Sequence, residues 1–242
     1  MPLTRREFVR NLSAISIVGV TSRMADRAEQ ESVVAAKDAV DHLLLGVADR
    51  EAGIRWVEER TGVRAVIGGS HPGMGTHNAL LSLGDRHYLE IIAPDPAQTR
   101  LADRYQQLKS LRTPRLITWA AATDNAEATA KRWRAAGLDV LGPNPGSRQR
   151  PDGAMMQWVT VSIKTDVETV IPFFIEWGRT VTHPSTDSPQ GCRLETIAFG
   201  HPQPANVREV LARMGIDATV TTSPAASIAA VLHTPKGTLE LR

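Results

Sequence analysis

The same local pattern occurs three times in this chain: a glycine ends a helix-like segment and begins a strand-like one. The three glycines are Gly62, Gly137 and Gly215, which lie 75 and 78 residues apart. A recurrence of this kind indicates one supersecondary unit that is used repeatedly. It constrains the fold strongly, and it directs the search for chemistry to the positions at which the copies differ.

The composition is that of an ordinary globular protein, with 42% apolar and 22% charged residues among 242. No run of about 18 apolar residues occurs, so no transmembrane helix is expected after processing. The net charge is +2, but residues 1–28 hold five arginines against two acidic residues, a local +3 that leaves −1 for the rest. We therefore do not expect a nucleic-acid partner. The single cysteine, Cys192, excludes an intrachain disulfide.

The start of the chain resembles a bacterial twin-arginine export signal. Thr4-Arg5-Arg6-Glu7-Phe8 precedes a weakly apolar stretch from Leu12 to Val20. We interpret residues 1–38 as an export signal and linker, and we expect a periplasmic or extracellular location. The alternative is a basic arm on a cytoplasmic protein.

The repeated pattern predicts units of the order βαβββ. In the first unit, a strand at Val40 to Val47 precedes a helix that begins after Asp49, and three strands follow Gly62. The second helix is predicted to begin after Asp124. We expect residues 39–178 to form paired modules and residues 193–242 to form a third module packed on the same domain.

Four segments resemble the glyoxalase-like domain, a branch of the vicinal oxygen chelate superfamily: Asp41-His42-Leu43, Gly75-Thr76-His77-Asn78-Ala79-Leu80, Tyr88-Leu89-Glu90-Ile91-Ile92-Ala93-Pro94, and Pro172-Phe173-Phe174-Ile175-Glu176-Trp177 with the following His183-Pro184. The resemblance extends over about residues 39 to 242. It implies an α+β fold in which paired βαβββ modules form a cup-shaped mixed sheet, as in glyoxalases and dihydroxybiphenyl dioxygenases. It also implies one divalent metal ion in the cup.

Ligands in that family come from the first and fourth strands of paired units. The resemblance therefore implies that His42 and Glu90 bind the metal, and it places Glu176 at the fourth-strand position of the second unit. The matching first-strand position of that unit, counted back from Gly137, is Ile117, so the full four-ligand set is not visible. Histidine and carboxylate ligands suit Zn, Mn, Fe, Ni or Co.

The residues around Glu90 indicate a functional role for it independently of the family resemblance. Glu90 lies in an otherwise apolar strand, so its burial requires a partner: an arginine such as Arg64 or Arg86, a set of hydrogen bonds, or a metal. If the hairpin loop at Gly84-Asp85, which precedes this strand, has two residues, His77 joins the Glu90 face; a three-residue loop turns His77 away.

The glycine-rich segment from Gly68 to Gly75 leads into a strand rather than a helix, which argues against a dinucleotide site. We interpret it either as a loop at the rim of the cup or as a plain connection, with His71 solvated. The candidate catalytic residues are Glu176 and His77, and the candidate substrate contacts are Gly75, Thr76, Asn78 and His183.

These features predict a divalent-metal-dependent enzyme, of the lyase or isomerase type or of the oxygenase type, that acts on a small oxygenated molecule. The alternative is a metal-free protein of the same fold that binds or sequesters a small ligand, which the missing second-unit ligand favours. A third hypothesis is a structural role in which the last module pairs two copies of the chain, so a homodimer is also an expectation.

Overall fold

The computed structural model describes residues 33–167 and 169–242. The predicted export signal therefore lies outside the described residues, apart from the last part of its linker. That part forms a short strand and a one-turn helix, β1 (Val34–Ala35) and α1 (Ala36–Ala39). None of the helices in the described ranges is long and apolar enough to cross a membrane.

The first two units follow the predicted order of elements. The first consists of β2 (Val40–Gly46), α2 (Arg50–Thr61), β3 (Val66–His71), β4 (Thr76–Ser82) and β5 (Tyr88–Pro94). A 3₁₀ helix (Asp103–Ser110) leads to the second, which consists of β6 (Arg115–Ala122), α3 (Ala126–Ala135), β7 (Val140–Gln149), β8 (Met155–Ile163) and β9 (Phe173–Trp177).

Helix ends follow the side chains that can cap them. Asp49 accepts a hydrogen bond from the Ala52 amide at 2.7 Å and begins α2, as predicted. Gly62 ends that helix in the left-handed conformation, with φ of +80°. For α3 the prediction of Asp124 was wrong: Asn125 is the cap, because its extended backbone lets its side chain accept from the Ala128 amide at 2.9 Å.

The two units share one sheet of eight strands in the order β3-β4-β5-β2-β6-β9-β8-β7. Within each unit the first strand lies parallel to the fourth, as β2 with β5 and β6 with β9. The units meet where β2 and β6 run antiparallel at the middle of the sheet. The sheet curls, so the predicted α+β fold with paired modules is confirmed.

The third unit contains β10 (Arg193–His201), α5 (Pro204–Arg213), β11 (Ile216–Asp217), β12 (Val220–Thr222), β13 (Ser227–Thr234) and β14 (Gly237–Leu241), after the short helix α4 (Pro184–Asp187). Its elements follow in nearly the predicted order, but its sheet has the order β12-β10-β13-β14. Its first strand, β10, is therefore central and lies parallel to β12, whereas the first strands of the other units lie parallel to their fourth strands. The third unit repeats the sequence pattern and not the topology.

The third unit packs on one face of the eight-stranded sheet. Trp119 of β6 stacks on Phe199 of β10 with 5.3 Å between ring centroids. On α3, the indole nitrogen of Trp133 donates to the Met214 carbonyl at 3.3 Å. Because side chains alternate along β6, the opposite face of the sheet is left free for the site.

The two outer strands of the curled sheet, β3 and β7, approach each other without a backbone ladder between them. A guanidinium nitrogen of Arg148 on β7 donates to the Gly68 carbonyl on β3 at 2.7 Å. We call this junction at Gly68 and Arg148 the seam. It closes one side of the cup.

Candidate functional site

The register between β4 and β5 decides which side chains face the cup. Glu90 lies opposite Leu80, and Ile92 opposite Asn78. Leu83 donates to the His87 carbonyl at 2.8 Å, so the loop has the three residues 84–86, which is the longer of the two expected lengths. This loop brings Asn78 to the face that carries Glu90 and turns His77 to the other face, as expected for that length.

The structure brings His42 and Glu90 together, from the adjacent parallel strands β2 and β5. The Nε2 atom of His42 lies 3.4 Å from the Oε2 atom of Glu90. Both residues are buried, with 3% and 6% of their surfaces exposed. The ring of Tyr88 stacks on the imidazole at 4.5 Å and fixes its plane. Neither Arg64 nor Arg86 forms an ion pair with this carboxylate in the described part of the chain.

A second carboxylate, Asp41, holds the other nitrogen of this imidazole. Asp41 lies where the pairing of β2 with β6 is irregular, between Val40 and His42. Its Oδ1 atom lies 2.7 Å from His42 Nδ1. Its Oδ2 atom accepts from the Trp177 indole at 3.0 Å and lies 3.1 Å from His183 Nε2. We refer to Asp41, His42 and Glu90 as the central triad.

The tautomer of His183 follows from its partners. Its Nδ1 atom accepts from the Ser185 amide at 3.2 Å, so the ring proton is on Nε2 and is donated to Asp41. Burial raises the pKa of Asp41, but the hydrogen bonds that it accepts from His183 and His42 outweigh this effect and hold that pKa at about 2. Asp41 is therefore ionised at neutral pH and orients His42 with Nδ1 as donor.

This orientation leaves His42 Nε2 facing a carboxylate oxygen. If both groups lacked a proton, a nitrogen lone pair and a negative oxygen would repel each other at 3.4 Å in a buried setting. The geometry is therefore stable only with positive charge between the two atoms. A proton supplies that charge, and so does a metal ion.

The remaining oxygen of Glu90 is held by two residues of the β3–β4 hairpin. Asn78 donates to Oε1 at 2.7 Å, and the same amide nitrogen lies 3.3 Å from His71 Nε2. His71 Nδ1 lies 2.9 Å from the Thr76 hydroxyl. These contacts are consistent with a neutral His71 that accepts from Asn78 and donates to Thr76, in agreement with the lowering of its pKa by burial.

The expectation that His71 is solvated was wrong. The strand β3 continues to His71, and its pairing with Thr76 on β4 turns the ring into the cup. Glycines precede it in the sequence, which predicted a loop. Only the pairing of β3 with β4 identifies this residue, so its sequence position gave no signal.

Two predicted catalytic residues lie away from the central triad. His77 faces the helix side of the sheet, where its Nδ1 atom lies 3.9 Å from Asp95; burial, with the charge of Arg50, lowers its pKa. Glu176 accepts a hydrogen bond from the Ala126 amide at 2.8 Å, at the beginning of α3. Alternation along β4 and β9 explains both positions, because each neighbour in sequence, Asn78 or Trp177, faces the triad instead.

The predicted substrate contacts have structural partners. Asn78, Thr76 and His183 support the triad as described above. Gly75 has a left-handed backbone with φ of +72°, and a Cβ atom there would overlap the Arg100 carbonyl. Gly75 therefore allows the connection after β5 to pack against the β3–β4 turn.

The second unit contributes apolar groups where the first contributes polar ones. Ile117 packs with Leu44, Ile92 and Leu108 in a small apolar cluster. Phe173, on β9, contacts the edge of the His42 ring at 5.7 Å. At these two positions, Ile117 and Phe173, the second unit contributes apolar side chains to the cup.

The described residues meet the requirements for a divalent ion only in part. Two ligands that bind one tetrahedral ion at about 2.1 Å lie about 3.4 Å apart, which matches His42 Nε2 and Glu90 Oε2 at 3.4 Å. However, no three His, Cys, Asp or Glu side chains in the described ranges are arranged to hold a metal. Catalytic zinc sites commonly have three protein ligands, and the Nε2 atom of His71 is already engaged by Asn78. The side chains present therefore do not fit a resident ion held by the protein alone.

A cavity of about 220 Å³ opens at the seam. Its wall includes Gly68, Leu80, Arg148 and Met156. Leu80 is the β4 residue opposite Glu90, but no residue of the central triad belongs to the described wall of this cavity. Pockets for drug-sized ligands occupy about 300–1,000 Å³, so this smaller cavity suits a molecule smaller than a drug.

The first of two similar solved structures has the same fold as this chain. A hypothetical protein from Staphylococcus aureus has a structure with a TM-score of 0.62 at 14% identity, covering 84% of this chain and 98% of that one. Methylmalonyl-CoA epimerase from Mycobacterium tuberculosis gives a TM-score of 0.44 at 21% identity, covering 63% of this chain and 94% of its own. No curated protein matches the sequence.

The family itself is established by the sequence. The profile of the glyoxalase-like domain matches residues 40–215, which include the first two units and the beginning of the third. This match covers well over half of the chain and contains every residue of the central triad. The chain therefore belongs to the glyoxalase-like domain family.

Proposed function

We propose that this protein is an enzyme of the lyase or isomerase type that transfers a proton on a small oxygenated molecule. The observation that carries the proposal is the 3.4 Å approach of His42 Nε2 to Glu90 Oε2 inside a buried cup. Asp41 fixes the imidazole from behind, in the manner of an acid–base pair with an orienting carboxylate.

The chemistry follows from where the charges lie. Glu90 removes a proton from the carbon next to a carbonyl group, while the Nε2–H of His42 donates a hydrogen bond to the oxygen on which negative charge develops. Asp41 stabilises the positive imidazole during this step. Return of the proton gives an isomer, and loss of a leaving group from the neighbouring carbon gives a lyase product.

A divalent cation is the second candidate for the positive charge between His42 and Glu90. The spacing of the two atoms favours it, and the absence of a third described protein ligand disfavours it. Such an ion supplies Lewis acidity, which serves either a lyase or an oxygenase. Zn, Mn, Fe, Ni and Co remain the ions to test.

Ligand capture without turnover is the alternative function. The apolar residues Phe173 and Ile117 of the second unit favour it, because they contribute contact surface rather than chemistry. In that case the central triad recognises a polar group of the ligand.

Solvent-proton exchange tests the proposal. Pyruvate and hydroxyacetone are incubated in D₂O with the purified protein, and loss of the α-hydrogen signals is followed by proton NMR. We expect exchange above the buffer rate, and we expect Glu90→Gln to reduce it by about 10²-fold or more, since general-base catalysis contributes about 10²–10⁴-fold. Glu176→Gln is the matched control. We expect it to retain the rate, because Glu176 accepts from the Ala126 amide at the beginning of α3, away from the central triad.

Two outcomes contradict the proposal: equal rates in Glu90→Gln and the original chain, or no exchange of either compound above the buffer rate. The metal is tested in the same assay after dialysis against EDTA and return of each candidate ion. Loss of exchange on chelation and recovery with one ion assigns the charge to a metal. A ligand-induced thermal shift without exchange, retained in EDTA, identifies capture.

A further inference from the structure

Arg148 is a buried cation that lacks an ion-pair partner among the described residues. Only 4% of its surface is exposed, although its guanidinium carries five donors. The hydrogen bond it makes is the one to the Gly68 carbonyl across the seam. Arginine buried to this degree is normally paired with a carboxylate, because an isolated charge in the interior is costly.

The charges around Arg148 do not provide such a partner. Burial lowers the pKa of Arg148, and the negative charge of Glu90 acts against that lowering. Glu90 is nevertheless engaged by His42 and Asn78 and forms no ion pair with Arg148 within the described ranges. The neighbouring Arg150 pairs with Asp187 at 2.5 Å, so that carboxylate is also taken.

Arg148 is positioned to donate hydrogen bonds from its guanidinium to a molecule in the cavity at the seam. Its side chain lines the cavity at the seam, together with Leu80 and Gly68. The rest of the wall combines apolar residues, such as Val66 and Met156, with Asp152, Ser188 and the ion pair of Arg150 with Asp187. Arg148 is the cation of this wall without a carboxylate partner among the described residues, and it is complementary to one anionic group of a small molecule.

We infer that the substrate of this site is a small carboxylate, and that Arg148 binds its carboxylate group at the seam. This inference rests on the proposed function and names the substrate class. A carboxylate held by the guanidinium lies beside Leu80, the β4 residue opposite Glu90, and the charge of Glu90 acts on the same guanidinium. The planar guanidinium matches two carboxylate oxygens, so the residue orients the substrate as well as attracting it.

Binding of matched pairs of compounds tests the inference without relying on turnover. Pyruvate and lactate are each compared with their neutral amides by isothermal titration calorimetry, at low salt and on the full chain. We expect the carboxylates to bind at least 10-fold more tightly than the amides. We expect Arg148→Gln to abolish this preference and Arg148→Lys to reduce it, because lysine keeps the charge and loses the bidentate geometry.

Arg193→Gln is the control, since Arg193 is an exposed residue that pairs with Glu195. It retains the preference for carboxylates. Unfolding temperatures of the ligand-free variants show whether each has folded. If Arg148 serves only to join β3 and β7, Arg148→Gln lowers the unfolding temperature and keeps the preference; that result overturns the inference, as does equal binding of acids and amides to the original chain.

The test separates this inference from the proposed function. Carboxylate binding that depends on Arg148, without proton exchange in any compound, supports the anion site and contradicts the enzyme. Exchange that depends on Glu90 and is unaffected by Arg148→Gln supports the enzyme and contradicts the anion site.

Discussion

At the scale of single residues, Asp41 connects the largest number of side chains around the central triad. Its carboxylate accepts from three side chains, His42, Trp177 and His183, and these come from three parts of the chain. It is 1% exposed, so each of these hydrogen bonds replaces one to water. Asp41 thereby sets both the tautomer of His42 and the position of the segment before α4.

Replacing Asp41 by asparagine is expected to destabilise the fold by about 2–3 kcal/mol at neutral pH, because an amide has one acceptor oxygen for three donors. The effect depends on pH. The pKa of Asp41 is lowered from 3.8 to about 2, so its contribution is fully present above about pH 4 and is lost as the pH falls through 2. The pH-dependent part is about 2 kcal/mol.

Urea denaturation between pH 2 and pH 6 measures this effect. The difference in unfolding free energy between the original chain and Asp41→Asn is expected to shrink toward pH 2. Asp38→Asn is the control, because Asp38 is exposed and, within the described part of the chain, its ion-pair partner is Lys37. A constant difference across this pH range contradicts the assignment of an ionised, hydrogen-bonded Asp41.

The family resemblance placed His42 and Glu90 in one site, and the apolar strand around Glu90 independently required a partner for its carboxylate. Sequence reasoning could not place Arg148. The β7 strand contains Pro143 and Pro145, and proline interrupts most sheets. An outer strand tolerates these prolines, since one of its sides has no backbone partner, and the strand therefore continues as far as Arg148.

At the scale of elements, the β3–β4 hairpin determines how Glu90 is held. Gly68 lies opposite the Asn78 side chain, and a Cβ atom at Gly68 would overlap the Asn78 Oδ1 atom. That oxygen is buried and has no hydrogen-bond partner among the described atoms. The hairpin therefore keeps Asn78 in place by close packing on one side and by its bond to Glu90 on the other.

Gly68→Ala is expected to displace Asn78 and release one oxygen of Glu90. We expect a stability loss of about 1–3 kcal/mol from overpacking and a fall of about 10-fold or more in proton exchange. Gly73→Ala is the control: φ at Gly73 is +78° and no atom lies within 4 Å of a Cβ there, so only backbone strain of about 1 kcal/mol is added.

Urea denaturation and the exchange assay together distinguish the two glycines. A loss of exchange in Gly68→Ala but not in Gly73→Ala supports the role of Asn78. Equal exchange in both variants shows that Asn78 does not position Glu90. The hairpin register itself could not be predicted, because glycine and asparagine fit loops of several lengths.

At the scale of the whole molecule, the third unit covers the apolar face behind the site. Trp119 and Trp133 are fully buried, and both contact this unit, through Phe199 and Met214. The first two units alone would expose both tryptophans to water. The recurring glycines predicted the third unit, but only its packing distinguishes a covering sheet from another half of a cup.

A chain that ends at Ser188 is therefore expected to lose cooperative folding, since removal of β10 to β14 uncovers the face around Trp119. Burial of each large aromatic residue contributes about 3–5 kcal/mol, comparable with the whole stability of a domain. Circular dichroism during heating and binding of a hydrophobic dye measure the loss. A sharp thermal transition in the shortened chain contradicts this prediction; a role of the third unit in pairing two chains stays a prediction.

The seam between Gly68 and Arg148 has a mechanical consequence. All other neighbouring strands of the curled sheet are joined by backbone ladders, whereas here a side chain meets one carbonyl group. We therefore expect β3 and β7 to separate more easily than any other pair of neighbouring strands, because their separation breaks the fewest hydrogen bonds. Under the proposed function, a molecule that enters there would meet the guanidinium of Arg148 before the central triad, so the route of entry would select by charge before any reaction.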